Sequence, residues 1–247
     1  MEIRGVFMNS QIKKETGSHY TSEMLSQYMS EKLLHYFKKM NQKTLNELKI
    51  LDPSCGEGSL LKSVAKSFSD YNVKLIGMDT NQQAVNMAAE GLNLFSNKQL
   101  IQGDYLASGM GNVDLFSNFE DLKIDEVEPV DLIIANPPYV RTQVLGADKA
   151  QELGKRFGLK GRVDLYHAFL VAMTEQLKED GIICVITSNR YLTTAGGKDV
   201  RKYLNDNYEI LEIIDLGDTK MFEAAVLPAI FIGKKRANNN NKVKFLR

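Results

Sequence analysis

The tetrapeptide Asn136-Pro137-Pro138-Tyr139 is the segment of this chain with the clearest chemical character. It follows the apolar run 130–135, and its two prolines fix φ twice, hold Asn136 extended and remove two backbone donors. What remains is a corner of hydrogen-bond acceptors, the Asn136 side-chain oxygen and the Pro137 carbonyl, beside the Tyr139 ring. Such a corner suits a planar –NH2 group, although the same residues could form no more than a rigid turn after a strand.

A planar amine needs a corner of this kind before it can react. Its nitrogen is a poor nucleophile, because the lone pair is delocalised into a ring or a carbonyl group. Two acceptors that hold both hydrogens favour a pyramidal nitrogen, whose lone pair can then attack an electrophile. The proton becomes acidic only once the nitrogen carries positive charge, so no strong general base is needed before the attack. The Tyr139 ring could stack on a flat substrate for about 1–3 kcal/mol.

A second group of residues suggests a nucleoside site. The segment Asp52-Pro53-Ser54-Cys55-Gly56-Glu57-Gly58 follows a predicted strand, and glycines there let the backbone approach a ligand and aim N–H groups at an anion. The spacing fits neither a P-loop nor GxGxxG, so a phosphate is disfavoured and a carboxylate remains. Tight packing would explain the glycines equally well.

Two further acids close the next two predicted strands. Asp79 could accept both hydroxyls of a ribose, and Asp104 could accept from an adenine amine while Tyr105 or Thr80 borders the ring. Each acid alone could be a helix cap or a turn residue. Ligands of open α/β sheets lie outside the carboxyl ends of the strands. Because Asp52, Asp79 and Asp104 occupy such ends on consecutive strands, the sequence predicts a nucleoside site.

The elements that must position these residues alternate between apolar runs and helical patterns, as in βαβ units. A helix begins after Thr21 or Ser22, either of which could cap it. The short connection 217–225 has no room for a crossover helix, so the last two strands should pair antiparallel. The pattern predicts an α/β fold with a seven-stranded, mostly parallel sheet, a terminal antiparallel hairpin and helices on both faces. The predicted strands are 48–51, 73–78, 99–102, 130–135, 181–187, 210–216 and 226–233, and the other predicted helices are 59–68, 82–94 and 166–177.

Composition narrows the functional classes. The 247 residues contain 31 Lys and Arg against 31 Asp and Glu, so bulk charge does not point to nucleic-acid binding. Cys55 and Cys184 fit neither a disulfide framework nor a zinc site, and no metal site is predicted. The sequence contains no targeting segment and no membrane span, which predicts a protein of the cytoplasm.

Two inserts separate the predicted elements. The segment 107–128 is acidic, and a solvated surface explains it. The basic segment 140–163 directly follows the tetrapeptide, and we expect it to lie over the site and contact a phosphate backbone. Residues 1–16 are predicted to form a flexible lead-in, 17–235 one catalytic domain and 236–247 a linker.

These motifs give the chain a resemblance, over residues 15–235, to S-adenosylmethionine-dependent adenine-N6 DNA methyltransferases of restriction–modification systems, in the gamma group. The resemblance implies a Rossmann-like class I methyltransferase fold, with Asn136-Pro137-Pro138-Tyr139 as the catalytic motif. It implies a cofactor site in which Asp52 meets the amino group of S-adenosylmethionine, Asp79 its ribose, and Asp104 with Tyr105 its adenine. The other implied cofactor contacts are Ser54, Gly56, Gly58 and Thr80.

Two more positions come from the resemblance alone. Gly17-Ser18-His19-Tyr20-Thr21 is similar to the N-terminal cofactor motif of the family, which implies that Thr21 contacts the methionine carboxylate, with Tyr20 beside it. Phe222 falls where the family places a second aromatic residue against the extruded base, although a core residue of the hairpin would explain it as well.

The implied reaction is methyl transfer to the N6 amine of an adenine that has been flipped out of duplex DNA. Family members normally carry a separate target-recognition domain, so we expect a recognition domain or a specificity subunit as a partner. Methyltransferases that act on a glutamine amide or an RNA amine use the same corner, and a fold that only binds cofactor is a further alternative.

Overall fold

The computed structural model describes residues 21–40, 46–108, 128–139, 146–157, 164–194, 197–217 and 227–236. The strands are β1 (Leu48–Asp52), β2 (Val73–Asp79), β3 (Lys98–Gln102), β4 (Val130–Ala135), β5 (Leu177–Ser188), β6 (Tyr208–Asp215) and β7 (Pro228–Lys235). The helices described are α1 (Glu23–Met40), α2 (Ser59–Ser67), α3 (Gln82–Gly91), α4 (Tyr105–Ser108), α5 (Ala147–Arg156), α6 (Leu165–Gln176), α7 (Arg190–Thr193) and α8 (Lys198–Asn207).

One seven-stranded sheet with the order β3-β2-β1-β4-β5-β7-β6 organises the chain. The strands β1 to β5 are parallel to one another, whereas β7 runs antiparallel to both β5 and β6. The predicted fold class is therefore confirmed, including the antiparallel hairpin at the end of the chain. The strand order reverses between β1 and β4, and the crevice at such a reversal is where open α/β sheets bind ligands.

Helices cover both faces of the sheet, because the central strands bury side chains on both sides. Along β4, Leu132 and Ile134 pack on the face of α1 and α2, whereas Ile133 and Ala135 pack on the face of α6 and α8. The fully buried runs of β4 and β5 are the strands that the sequence marks most clearly.

The start of α1 shows which predicted cap the chain uses. The Ser22 side-chain oxygen accepts from the Leu25 N–H at 3.4 Å, and the Ser22 carbonyl accepts from the Ser26 N–H at 2.9 Å. Ser22 is therefore the capping residue, which leaves the Thr21 hydroxyl available for a contact elsewhere.

Two predicted boundaries differ from the structure by three or more residues. Helix α3 ends at Gly91 instead of at 94, where Leu92 turns out of the helix while its N–H still donates to the Ala88 carbonyl. Strand β5 begins at Leu177, directly after α6, and the sequence prediction missed its first residues because three of them are exposed and charged. Helices α4, α5, α7 and α8 were not predicted at all.

The described cysteines behave as core residues. Cys55 and Cys184 are free and buried, and burial raises the pKa of both thiols well above the usual range. In the parts of the chain that the structure describes, every helix is too short or too polar to cross a membrane, and three or more His, Cys, Asp or Glu side chains never group as metal ligands would.

Candidate active site

The loop after β1 contains a carboxylate with an unused oxygen. Asp52 is 1% exposed, and its Oδ1 accepts from the Ser54 N–H at 3.1 Å. Its Oδ2 is buried and has no hydrogen-bond partner among the described residues. Burial raises the pKa of Asp52 to about 8, against the opposing effect of the Ser54 N–H. A buried polar atom without a partner is unfavourable, so this oxygen suits a hydrogen-bond donor from a ligand.

Asp79 ties the end of β2 to the same loop. Its Oδ2 accepts from the Gly56 N–H and its Oδ1 from the Asn81 N–H, both at 2.9 Å. The Gly58 N–H donates to the Cys55 carbonyl at 2.8 Å. The two glycine N–H groups therefore have partners within the protein and are not the free anion donors expected from the sequence.

Gly58 is required by both conformation and packing. Its φ of +79° lies in the left-handed region, and a Cβ there would lie 3.0 Å from the Ala88 Cβ on α3. The packing explanation left open by the sequence thus accounts for Gly58. A role of Gly56 and Gly58 in close approach to a cofactor stays a prediction.

At the end of β3, the candidate adenine-binding residues differ in exposure. Asp104 is exposed, and its Oδ1 accepts from the Leu106 N–H at 3.0 Å, as a cap of the short α4. Tyr105 is buried in the core, where its ring stacks on Phe169 with centroids 5.7 Å apart. Thr80 is exposed. Of the two residues expected to border an adenine ring, Thr80 is the one with an accessible side chain.

Asn136, the first residue of the tetrapeptide after β4, forms hydrogen bonds with three other residues. The Tyr139 hydroxyl donates to Asn136 Oδ1 at 2.9 Å, and Asn136 Nδ2 donates to Thr21 Oγ1 at 3.0 Å. The Ser54 hydroxyl donates to the Asn136 backbone carbonyl at 3.3 Å. Burial raises the pKa of Tyr139 well above its usual range, so its hydroxyl remains a donor.

The Asn136 side-chain oxygen and the Pro137 carbonyl are the two acceptors that the sequence predicts for a planar amine. An amide oxygen has two lone pairs, and the Tyr139 hydroxyl uses one of them. That these two oxygens hold the hydrogens of a substrate amine stays a prediction.

Sheet register explains why the two loops meet. Ile50 pairs with Leu132 and Leu51 with Ile133 in the parallel β1–β4 ladder. The loops that follow β1 and β4 therefore leave the same edge of the sheet side by side, which brings Ser54 to Asn136. The contacts of Asn136 with Thr21 and Ser54 join residues 115 and 82 positions apart, so local sequence patterns could not have revealed them. Tyr20 and Phe222 lie outside the described residues, and their roles stay predictions.

The chain is similar to known restriction–modification methyltransferases. A family model described as Eco57I restriction-modification methylase matches residues 73–222. Type II methyltransferase M.BanIII from Aneurinibacillus aneurinilyticus is 51% identical over 92% of this chain and 40% of its own length. Type II methyltransferase M.BstVI from Geobacillus stearothermophilus is 26% identical over 83% of this chain and 40% of its own length. The chain thus spans about two fifths of the length of these relatives.

Solved structures share the fold. A putative class I S-adenosylmethionine-dependent methyltransferase from Listeria monocytogenes has a TM-score of 0.66 and 22% identity, over 89% of this chain and 62% of that chain. The methyltransferase subunit of a type I restriction-modification system from Streptococcus thermophilus has a TM-score of 0.64 and 21% identity, over 89% of this chain and 46% of that chain.

These matches identify the fold, the cofactor and the family of the chain. The predicted class I methyltransferase fold is confirmed, and with it S-adenosylmethionine as the cofactor of the family. The family model covers more than half of the chain, and it spans both the Asn136 motif and the strand end at Asp79. The chain belongs to the Eco57I restriction-modification methylase family.

Proposed function

We propose that this protein transfers the methyl group of S-adenosylmethionine to the N6 amine of an adenine in duplex DNA, as the modification activity of a restriction–modification system. The observation that carries the proposal is the acceptor corner at Asn136, which is fixed by Tyr139, Thr21 and Ser54 next to the loop of Asp52. The naming of two relatives as type II methyltransferases supports the same reaction class.

The residues after β1 and β2 fit the cofactor. The unpartnered Oδ2 of Asp52 suits the cationic amino group of its methionine part, because a nearby positive charge restores the ionised form of a buried acid. The Asp79 oxygens each accept one backbone N–H and keep lone pairs for ribose hydroxyls. When bound, S-adenosylmethionine supplies an electrophilic methyl group on a sulfonium.

The chain's own residues prepare the amine. Asn136 Oδ1 and the Pro137 carbonyl hold its two hydrogens and weaken the conjugation of its lone pair. The Tyr139 hydroxyl stays protonated and donates to Asn136 Oδ1, so it does not compete for the hydrogens of the amine. The amine becomes acidic as it gains positive charge, and water can take the released proton.

Adenine in a duplex reaches this corner only if it leaves the base stack, at a few kcal/mol. Stacking on the Tyr139 ring recovers about 1–3 kcal/mol of that. Phe222 is proposed as a second aromatic partner of the flipped base. Both rings recognise a flat surface, whereas the acceptor pair recognises the amine.

DNA recognition is proposed to depend on a further domain or a specificity subunit, since the relatives are more than twice as long as their match to this chain. Within the basic segment, Lys155 is exposed on α5, and we propose that it contacts a phosphate backbone. The Arg156 guanidinium instead lies 5.3 Å from the Phe157 ring centroid and lowers the pKa of Glu175, which burial raises. Because a DNA substrate lies where the host chromosome is, a cytoplasmic location belongs to this proposal.

The test is to identify the methylated product chemically. The protein at its natural full length is incubated with unmethylated duplex DNA, with RNA and with a glutamine-containing protein substrate, in the presence of S-adenosylmethionine with a labelled methyl group. After digestion of the DNA to nucleosides, mass spectrometry is expected to show the label in N6-methyl-2′-deoxyadenosine. Label in N4-methylcytosine, in RNA or in a glutamine amide would show that this group, and not the adenine amine, is the methylated target.

An Asn136→Ala variant is the matched control. It is expected to lose transfer while calorimetry still detects S-adenosylmethionine binding, because Asn136 acts on the amine and not on the cofactor. Cofactor binding by the unmodified protein without transfer to any of the substrates would instead support a module that only binds the cofactor.

A further inference from the structure

The hydroxyl of Thr21 is a partner of the catalytic amide from a distant part of the chain. Thr21 is 9% exposed and precedes α1, and its Oγ1 accepts from Asn136 Nδ2 at 3.0 Å. Ser22 caps the helix, so the Thr21 hydroxyl has no capping role. The contact therefore calls for an explanation in the chemistry of Asn136.

An asparagine side chain presents two ends of nearly the same size. Only its oxygen can accept hydrogens from a substrate amine, whereas its –NH2 group would face the amine with like-charged hydrogens. A half-turn of the amide exchanges the two ends. The hydroxyls of Tyr139 and Thr21 can each donate or accept, so these contacts alone would tolerate either orientation of the amide.

One orientation of the Asn136 amide becomes favoured once the Thr21 hydroxyl donates its proton to another acceptor. A hydroxyl has one donor and two acceptor lone pairs. If an anionic carboxylate accepts the Thr21 proton, Thr21 Oγ1 can only accept, and the amide –NH2 is the end that can donate to it. The amide oxygen must then face the Tyr139 hydroxyl and the substrate.

We propose that Thr21 is a positioning residue, which fixes the orientation of the Asn136 amide and thereby links cofactor binding to the acceptor corner. This inference rests on the proposed function, because the carboxylate that receives the Thr21 proton is that of the methionine part of S-adenosylmethionine. Binding of the cofactor thus selects the amide orientation that can hold an amine.

Ser54 completes the link from the cofactor loop. Its hydroxyl donates to the Asn136 backbone carbonyl at 3.3 Å, two residues after the buried Asp52. The backbone of Asn136 is therefore held by the loop after β1, and its side chain by the residue before α1. We assign the orientation of this amide to its contact with the Thr21 hydroxyl.

The test compares Thr21→Val, which keeps the shape without the hydroxyl, with Thr21→Ser, which keeps the hydroxyl. The full-length protein is used, and single-turnover transfer is measured at saturating S-adenosylmethionine and DNA. Calorimetry gives the Kd of S-adenosylhomocysteine, which carries the same carboxylate. Ser22→Ala is the control for a weakened start of α1.

We expect Thr21→Val to lower the saturated transfer rate at least about tenfold, since a partly buried amide N–H loses its acceptor and the amide orientation is no longer selected. Thr21→Ser is expected to restore most of the rate. Ser22→Ala is expected to lower the thermal midpoint and leave the saturated rate within about twofold.

The outcomes separate this inference from the proposed function. If Thr21→Val only raises the Kd of S-adenosylhomocysteine and leaves the saturated rate unchanged, Thr21 serves the carboxylate alone and the inference is wrong. If the unmodified protein transfers no methyl group to DNA, the proposed function itself fails.

Discussion

Asp52 makes a pH-dependent contribution to stability. Its pKa is raised from 3.8 to about 8 by burial, so the folded chain holds a proton that the unfolded chain loses at lower pH. The folded state therefore binds more protons between these values, and the stability that Asp52 contributes falls as pH rises through that window. Each pKa unit of difference corresponds to about 1.4 kcal/mol.

An Asp52→Asn variant removes this dependence, because an amide does not ionise. Without cofactor, the thermal midpoint of the variant relative to the unmodified protein is expected to increase steadily from about pH 5 to about pH 8. The same variant should bind S-adenosylmethionine about 10- to 100-fold more weakly, since it loses a charged hydrogen bond. A midpoint difference that stays constant across this pH range would contradict the assignment of a raised pKa.

The Tyr139 hydroxyl donates to Asn136 Oδ1, and its ring is proposed to stack on the flipped base, so the two roles can be separated by substitution. Tyr139→Ala removes both, and we expect its affinity for DNA with a flipped adenine to fall by the equivalent of about 1–3 kcal/mol. Tyr139→Phe keeps the ring and should retain most of that affinity while transfer slows several-fold. Fluorescence of 2-aminopurine at the target position measures flipping, and equal losses in both variants would refute the stacking role.

At the scale of the elements, a charge cluster joins α1 to β6, the strand at one edge of the sheet. Lys32 lies 2.8 Å and 2.9 Å from the two carboxylate oxygens of Glu212 on β6, and the Tyr36 hydroxyl donates to the same carboxylate at 3.1 Å. The Lys32 and Glu212 side chains are partly buried, so water screens their interaction less than that of a surface pair.

Glu212→Gln is expected to lower the free energy of unfolding by about 1–3 kcal/mol, as for the loss of a charged hydrogen bond. The exposed pair of Lys202 with Asp206 on α8 is a matched control, and Asp206→Asn should change stability by less than about 0.5 kcal/mol. Chemical denaturation measures both variants. Similar losses would mean that burial of the Lys32 cluster adds nothing.

The elements that the sequence predicted are those whose pattern reports burial directly. The six residues of β4 are all buried, and their predicted bounds agree with the structure. Helix α8 was missed because its charged sequence buries only Val200 and Leu204, which is too weak a pattern to identify a helix. At the site, strand ends placed Asp52 and Asp79, but the contact of Thr21 with Asn136 depends on the folded sheet.

At the scale of the whole molecule, the contacts of the candidate site bring separate parts of the chain together where the strand order reverses, between β1 and β4. Asp52 and Ser54 follow β1, Asp79 ends β2 and Asn136 follows β4, and Thr21 brings in the start of α1. A cofactor bound there, as proposed, would contact residues from all four of these elements. The opposite end of the sheet, at β6 and α8, lies outside this set of contacts.

Cofactor binding should therefore protect the chain unevenly. At a concentration of about 100 times its Kd, S-adenosylmethionine is expected to stabilise the fold by about 2.7 kcal/mol through mass action. In hydrogen-exchange mass spectrometry, the added protection should concentrate at the start of α1 and in the loops after β1 and β4, because local opening there breaks contacts to the ligand. Peptides of α8 serve as the internal control, since they gain protection only through global stabilisation. Equal added protection at α8 and at the start of α1 would mean that cofactor binding does not stabilise the start of α1, where Thr21 contacts Asn136.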